Sequence, residues 1–363
     1  MLPYVILILL ALICAATDVT PVRNRIVFAL PFFMVMFMMA AFRDHLGGSD
    51  YEMYELFYSK VVGVGDYLRG SYEPYYRTKS VESGFVFLSS MIRSIDFTHG
   101  PYLFMFVIAL ITFSIFIPSL KEYTPYFYIA IFFYMYKAYF WHDFTLARQA
   151  VAIAFFTYSI RFVKRREYWK YIVLNLLALS MHHSAVILLP LCFFLNHKFS
   201  VRTILIAMSV AIVVSLIGPS LYEMSMRLTE TIGLGKRLAL YASETGRINP
   251  LNFIEIFVIL FCALFYREYY EQKEPYFNIF LNLFMVSSFI VIAFSSFDIF
   301  SRFKEYFVIA YMMLVSYMVG HVRSNRNRWI IFAFLSVYII MGYFRYIMVF
   351  DDGGLLPYKW ILW

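Results

Sequence analysis

The chain has 363 residues, 62% of them hydrophobic and only 15% charged, with a mean hydropathy of +0.70. Soluble domains sit nearer half apolar and a quarter charged, so this composition excludes an ordinary soluble enzyme and points to an all-α, polytopic integral membrane protein. The formal charge of +8 is read as cytoplasmic loop charge rather than a nucleic-acid surface, because no basic stripe with stacking aromatics lies outside the apolar runs.

Taken in order, apolar runs of span length lie at 1–16, 25–42, 101–118, 125–141, 146–163, 203–217, 251–266, 276–297, 303–320 and 329–347. Each predicts a transmembrane helix. With the short run 84–95 and the longer stretch 168–197, both expected to be broken or re-entrant, the total is about 10–12 membrane helices. The first run lacks a basic leader and a small-x-small cleavage pattern and is read as a retained helix. No repeat, Gly/Ser linker or low-complexity tail divides the chain, so residues 1–363 are expected to form a single membrane domain. Cys14, Cys192 and Cys262 lie in apolar runs without metal-like spacing and read as reduced packing residues.

Two polar stretches interrupt the pattern. Residues 43–83 carry five cations against seven carboxylates, net −2, and residues 218–250 carry four against three, net +1. The second is placed as a loop that would lie over the substrates as a lid. The strongest orientation signals are 161–170, net +4, and 321–328, net +3, both cytoplasmic by the excess of Lys and Arg. The acidic 43–83 loop, the 218–250 loop and both termini then face outward.

Five apolar segments separate the two basic anchors, and an odd number of crossings cannot start and end on one side. The stretch 168–197 is too long for an average span and is polar at its centre. Split at His182-His183, each arm has about 15 residues, or roughly 22 Å of helix against a core of roughly 30 Å. Two such arms would rise from the cytoplasmic face and return, lifting His182 toward the outer level. Arg43, Arg148, Arg302, Asp50 and Glu82 fall at that same level.

Ionisable residues at membrane depth are costly and mark functional sites by default. Each also has a plainer reading. Arg43, Arg148 and Arg302 could reach head groups or pair with Asp50 and Glu82. His182 could be a hydrogen-bonded core residue, and Asp50 a loop ion-pair partner. Soluble-enzyme signatures (a P-loop, GxGxxG, HExxH, GxSxG) are missing, which leaves ATP-driven transport and metalloprotease chemistry without support.

Several stretches, in order, resemble the EpsG family, the Wzy-like polymerases of bacterial surface polysaccharides. They are Phe42-Arg43 followed by Gly48-Ser49-Asp50-Tyr51 and Tyr54, Glu82-Ser83-Gly84-Phe85, Arg148-Gln149 with Ala152, Ala178 to His182-His183-Ser184-Ala185, Ser301-Arg302-Phe303 with Tyr306, and Pro357-Tyr358-Lys359. Met181 departs from the usual aromatic before the histidine, and 218–250 matches nothing in the pattern.

The resemblance implies a GT-C-like membrane glycosyltransferase. It would move a growing glycan from one undecaprenyl diphosphate to the sugar of another lipid-linked repeat unit, at the outer leaflet of the bacterial inner membrane. It implies diphosphate binding by Arg148, Arg302 and Arg43, and His182 or Asp50 as the catalytic base. Glu82, Tyr306, His183 and Gln149 would support them. Neither a metal nor a cofactor is expected. The partners implied are the donor and acceptor lipid-linked oligosaccharides, membrane lipid and a separate chain-length regulator, with no nucleic acid. An O-antigen ligase or other lipid-phosphosugar glycosyltransferase would use similar arginines. A flippase of lipid-linked sugars is the rival from another class, with charges expected along a path rather than at one face.

Overall fold

The computed structural model describes residues 1–70, 81–95, 100–232, 250–295 and 300–361. Among these residues the chain is all-α, as a backbone in lipid must satisfy its own hydrogen bonds. In order, the helices are α1 (Leu2–Val19), α2 (Ile26–Ala41), α3 (Ser49–Ser59), α4 (Val64–Leu68), α5 (Ser83–Ile95), α6 (Pro101–Tyr123), α7 (Phe127–Lys137), α8 (Ala147–Lys164) and α9 (Tyr168–Met181). They continue with α10 (Val201–Ile232), α11 (Pro250–Phe265), α12 (Arg267–Lys273), α13 (Phe277–Ala293), α14 (Ser301–Lys304), α15 (Val308–Gly320) and α16 (Asn325–Val349). A π-turn covers Trp141–Thr145, and 3-10 segments cover His183–Phe193 and Glu305–Phe307.

Among the described residues, four segments are long and apolar enough to cross a membrane alone: α1, α6, the Val201–Gly218 part of α10, and α16. The pair α11–α12 is a fifth such span if its 74° bend is counted as one crossing, and shorter apolar helices include α2, α5, α7 and α13. This is a multi-pass membrane protein.

The chain forms two compact units, one of Met1–Leu189 with Val315–Trp363 and one of Pro190–Leu314. In the first unit α8 packs between α6 and α9. Small residues (Ala147, Ala150, Ala152, Ala154) let both neighbours approach, and two thirds of α8 is buried. The helices α6 and α8 end together, where Glu122 pairs with Arg161 at 2.9 Å and Arg165 at 3.0 Å. The intervening α7 runs the other way. On the far side of α7, α1 packs against α2, α7 and α16, and the buried Tyr343 hydroxyl donates to the Tyr4 carbonyl at 3.0 Å.

The second unit packs α10 on α13. Asn282 of α13 donates to the carbonyls of Leu195 and His197 at 2.9 and 2.8 Å, tying down the turn before α10. Glu271 of α12 accepts from Arg267 and Lys198 on the same side of that turn.

The structure sharpens several expectations. The stretch 168–197 is broken: α9 stops at Met181, His182 is extended (φ −155°, ψ 123°), and the second arm is a 3-10 helix rather than an α-helix. The run 125–141 stops at Lys137, where Ala138 leaves helical geometry before the π-turn. The 43–83 stretch is not open loop but holds α3 and α4, with residues 71–80 outside the described set. The 218–250 stretch is not all loop either, because α10 continues to Ile232 through good helix formers such as Leu221, Glu223, Met224 and Leu228. The remaining part of that expected lid, 233–249, lies outside the described residues.

Candidate active site

Glu82 stands immediately before α5, between two membrane spans, and its side chain is only 3% exposed. Its Oε2 accepts from Arg148 Nη1 at 2.7 Å. Its Oε1 lies 2.9 Å from His182 Nδ1 and accepts the backbone N–H of His183 at 3.0 Å. One carboxylate thus joins the start of α5, the first turn of α8 and the break after α9.

Burial alone would raise the Glu82 carboxyl. The His182 hydrogen bond, the Arg148 charge and the His183 N–H outweigh it and hold the group down at about 2. Glu82 is therefore an anion at any physiological pH. An ionised carboxylate only accepts, so Nδ1 of His182 is the nitrogen that donates to it, which leaves Nε2 as the one that can act as a base. Glu82 fixes the tautomer of His182 and the position of Arg148 at once.

The local sequence explains how these groups meet. A side chain on Gly84 would place its Cβ 2.3 Å from Ser180 Oγ and 2.9 Å from the Ser180 carbonyl oxygen, so only glycine lets α5 start against the end of α9. Phe85 is fully buried and packs on Phe57 and Phe104 with centroids 5.4 and 5.7 Å away. Glu-x-Gly-aromatic is thus a carboxylate, a close approach and an anchor in succession. The extended backbone at His182 turns the next N–H, that of His183, onto Glu82, which a continued helix would have bonded internally. Arg148 is lined by Tyr54 and Phe85, each ring 6.0 Å from its guanidinium carbon, and the Tyr54 hydroxyl lies 3.5 Å from the Arg148 N–H.

The other residues singled out in the sequence have different surroundings. Arg43 is 1% exposed. Its guanidinium donates to the carbonyls of Ala40, Leu46 and Phe144 and stacks near the rings of Tyr51 and Phe144. These contacts brace the end of α2 against α3 and the π-turn. Gly47, at φ +143°, permits the brace, since a Cβ there would meet the Phe144 carbonyl oxygen at 2.3 Å. Pro357-Tyr358-Lys359 belongs to the same corner: the Asp44 N–H donates to the Lys359 carbonyl, and the Tyr358 hydroxyl donates to the Met39 carbonyl.

Asp50 sits in the first turn of α3, the helix that also carries Tyr54. Burial raises the Tyr54 hydroxyl, Arg148 lowers it and Asp50 raises it, which sets both charges close to that ring. Gln149 is buried within α8. Arg302 lies on α14 and is exposed, while Tyr306 is fully buried in the following 3-10 turn; both belong to the second unit. Among the described residues, no three His, Cys, Asp or Glu side chains gather at metal-ligand distance.

A model of the EpsG family matches residues 26–360. The chain belongs to the EpsG family. That family consists of polysaccharide polymerase-like membrane proteins. No curated protein sequence and no solved structure matches the chain.

In this EpsG-family chain several of the motif residues come together in the first unit. Glu82, Gly84, Arg148 and His182 build one cluster, and Arg43, Tyr51 and Tyr358, with Gly47, build a corner. Sequence reasoning gave Glu82 a supporting place and named Tyr54 within a motif without giving it a site role. The signal for Glu82 was present: Arg148 and His182 are both costly in an apolar setting, and each needs a partner. Glu82 is the acidic residue that directly adjoins the short apolar run.

Proposed function

We propose that this EpsG-family protein is a Wzy-type polymerase. It would join undecaprenyl-diphosphate-linked oligosaccharide repeat units into a surface polysaccharide at the outer leaflet of the bacterial inner membrane. The observation that carries the reading is the Glu82 carboxylate held between Arg148 and His182. It supplies a cation for a leaving diphosphate and a base with a defined free nitrogen within one cluster.

In this reading the acceptor sugar hydroxyl gives its proton to Nε2 of His182 as its oxygen attacks the anomeric carbon of the donor. The new C–O bond forms while the bond from that carbon to the lipid diphosphate breaks, and the electron pair leaves with the diphosphate. Arg148 stabilises the charge that develops there, its planar fork suited to phosphate oxygens. Glu82 positions both groups and is not consumed. Asp50 acts through Tyr54 on the approach to Arg148. A chain-length regulator would act on the same product.

The test is extension of a defined lipid-linked repeat unit by the purified chain in detergent, with no second compartment. A ladder of products on the lipid carrier supports polymerase chemistry, and its loss in Arg148→Ala supports the assignment. Transfer of one glycan to a different acceptor without a ladder would make the protein a ligase. Movement of substrate across vesicles with no new glycosidic bond would make it a flippase.

A further inference from the structure

The two adjacent histidines hold unequal positions on Glu82. His182 is 12% exposed at its side chain and is committed to Oε1 through Nδ1. The His183 ring is 67% exposed, with Nδ1 3.6 Å from the same oxygen. What fastens His183 to the cluster is its main chain, whose N–H donates to Glu82 at 3.0 Å. The ring is therefore held at the mouth of the site without being needed to build it. Arg148, on the other carboxylate oxygen, is 30% exposed at its side chain. Of the His182, His183 and Arg148 side chains on Glu82, these two present the most surface.

We propose that His183 is the second anion contact of the site and shares a lipid-linked diphosphate with Arg148. The inference rests on the polymerase reading for the identity of that ligand. Glu82 neutralises Arg148 within the cluster, so Arg148 alone offers an incoming dianion little net charge. A ring nitrogen donating from the Oε1 side, with the guanidinium on the Oε2 side, gives two donors separated by one carboxylate. A diphosphate has oxygens on two phosphorus atoms and can touch both, whereas a monophosphate or a phosphodiester head group is short of one of those contacts. The two histidines then divide the work, with His182 serving proton transfer and His183 serving leaving-group recognition.

The test is binding of farnesyl diphosphate to the full chain in a neutral detergent, for the wild type, His183→Ala, His183→Gln and Arg148→Ala. Farnesyl monophosphate and phosphatidylglycerol serve as comparison ligands. The expected result is a roughly tenfold weaker Kd for farnesyl diphosphate in His183→Ala, the value of one charge-assisted hydrogen bond. His183→Gln, which keeps an N–H donor, recovers part of that loss, and the two comparison ligands respond by less than about threefold. Wild-type affinity for the diphosphate in His183→Ala, with Arg148→Ala impaired, would overturn the proposal and leave the polymerase reading standing. An equal loss for phosphatidylglycerol would also overturn it, making His183 a head-group contact. No saturable diphosphate binding by the wild type would overturn both. Because the tie to Glu82 is a main-chain bond, His183→Ala is expected to elute and melt like the wild type.

Discussion

His182 Nδ1 lies 2.9 Å from Glu82 Oε1, although 100 residues separate them and the span-length helix α6 lies between. The contact exists because α9 ends one residue earlier and because Gly84 lets α5 begin against that end. Replacing Glu82 with Ala leaves Arg148 and His182 without their counter-charge. Breaking a buried pair in this way costs about 3–5 kcal/mol. Glu82→Gln keeps the shape and some hydrogen bonding but removes the charge, and is expected to lower polymer formation more than it lowers membrane protein level. Immunodetection of the protein beside a polysaccharide ladder measures both.

The pH dependence of stability follows from the same carboxylate. Its pKa is held at about 2 against a reference of 4.5, so its contribution is fully present above pH 4.5 and declines as pH falls toward about 2. A shift of that size corresponds to something on the order of 3 kcal/mol. Unfolding of the detergent-solubilised chain between pH 3 and 6 is expected to show this acid limb in the wild type. The limb is expected to be shallower in Glu82→Gln, and identical acid limbs would contradict the assignment.

Gly84 tests the close approach. Gly84→Ala forces a Cβ into Ser180 Oγ and its neighbouring backbone, and overpacking of this kind costs about 1–3 kcal/mol. Ser180→Gly removes the side-chain part of the clash but not the carbonyl oxygen 2.9 Å away, so the double variant is expected to recover part of the loss. A thermal melt of the four-member cycle reads the coupling.

Arg43 and Arg148 look alike in sequence and separate in structure. Arg43 is buried with its donors on backbone carbonyls, so Arg43→Lys cannot reproduce three directed bonds and is expected to lower stability and membrane level. Arg148→Lys keeps an ion pair with Glu82 and is expected to leave the level near normal while polymer is lost. Equal protein loss in both variants would contradict this division.

Much of this was legible beforehand. Composition identifies a helical membrane protein, the basic segments 161–170 and 321–328 make the crossing count odd, and the length and polar centre of 168–197 then place the break at His182-His183. What was hidden was partnership. Arg43 and Arg148 both end or begin apolar runs, and nothing in spacing says that one is enclosed by the π-turn at Phe144 while the other remains at a surface. His183 had a supporting place, but spacing does not say what it supports: the extended residue before it turns its main-chain N–H onto Glu82. The helix beyond Gly218 was also concealed, since polar residues at helical spacing read as loop when an apolar run ends.

The central claim is that Arg148 and His182, held by Glu82, carry out glycan transfer. The most direct measurement is the initial rate of chain extension on a synthetic lipid-linked repeat unit by purified wild type and His182→Gln, at saturating substrate and matched protein. The account predicts that His182→Gln binds the substrate normally and extends it at least about a hundredfold more slowly, as expected for loss of a general base. A product ladder from His182→Gln at the wild-type rate would contradict it.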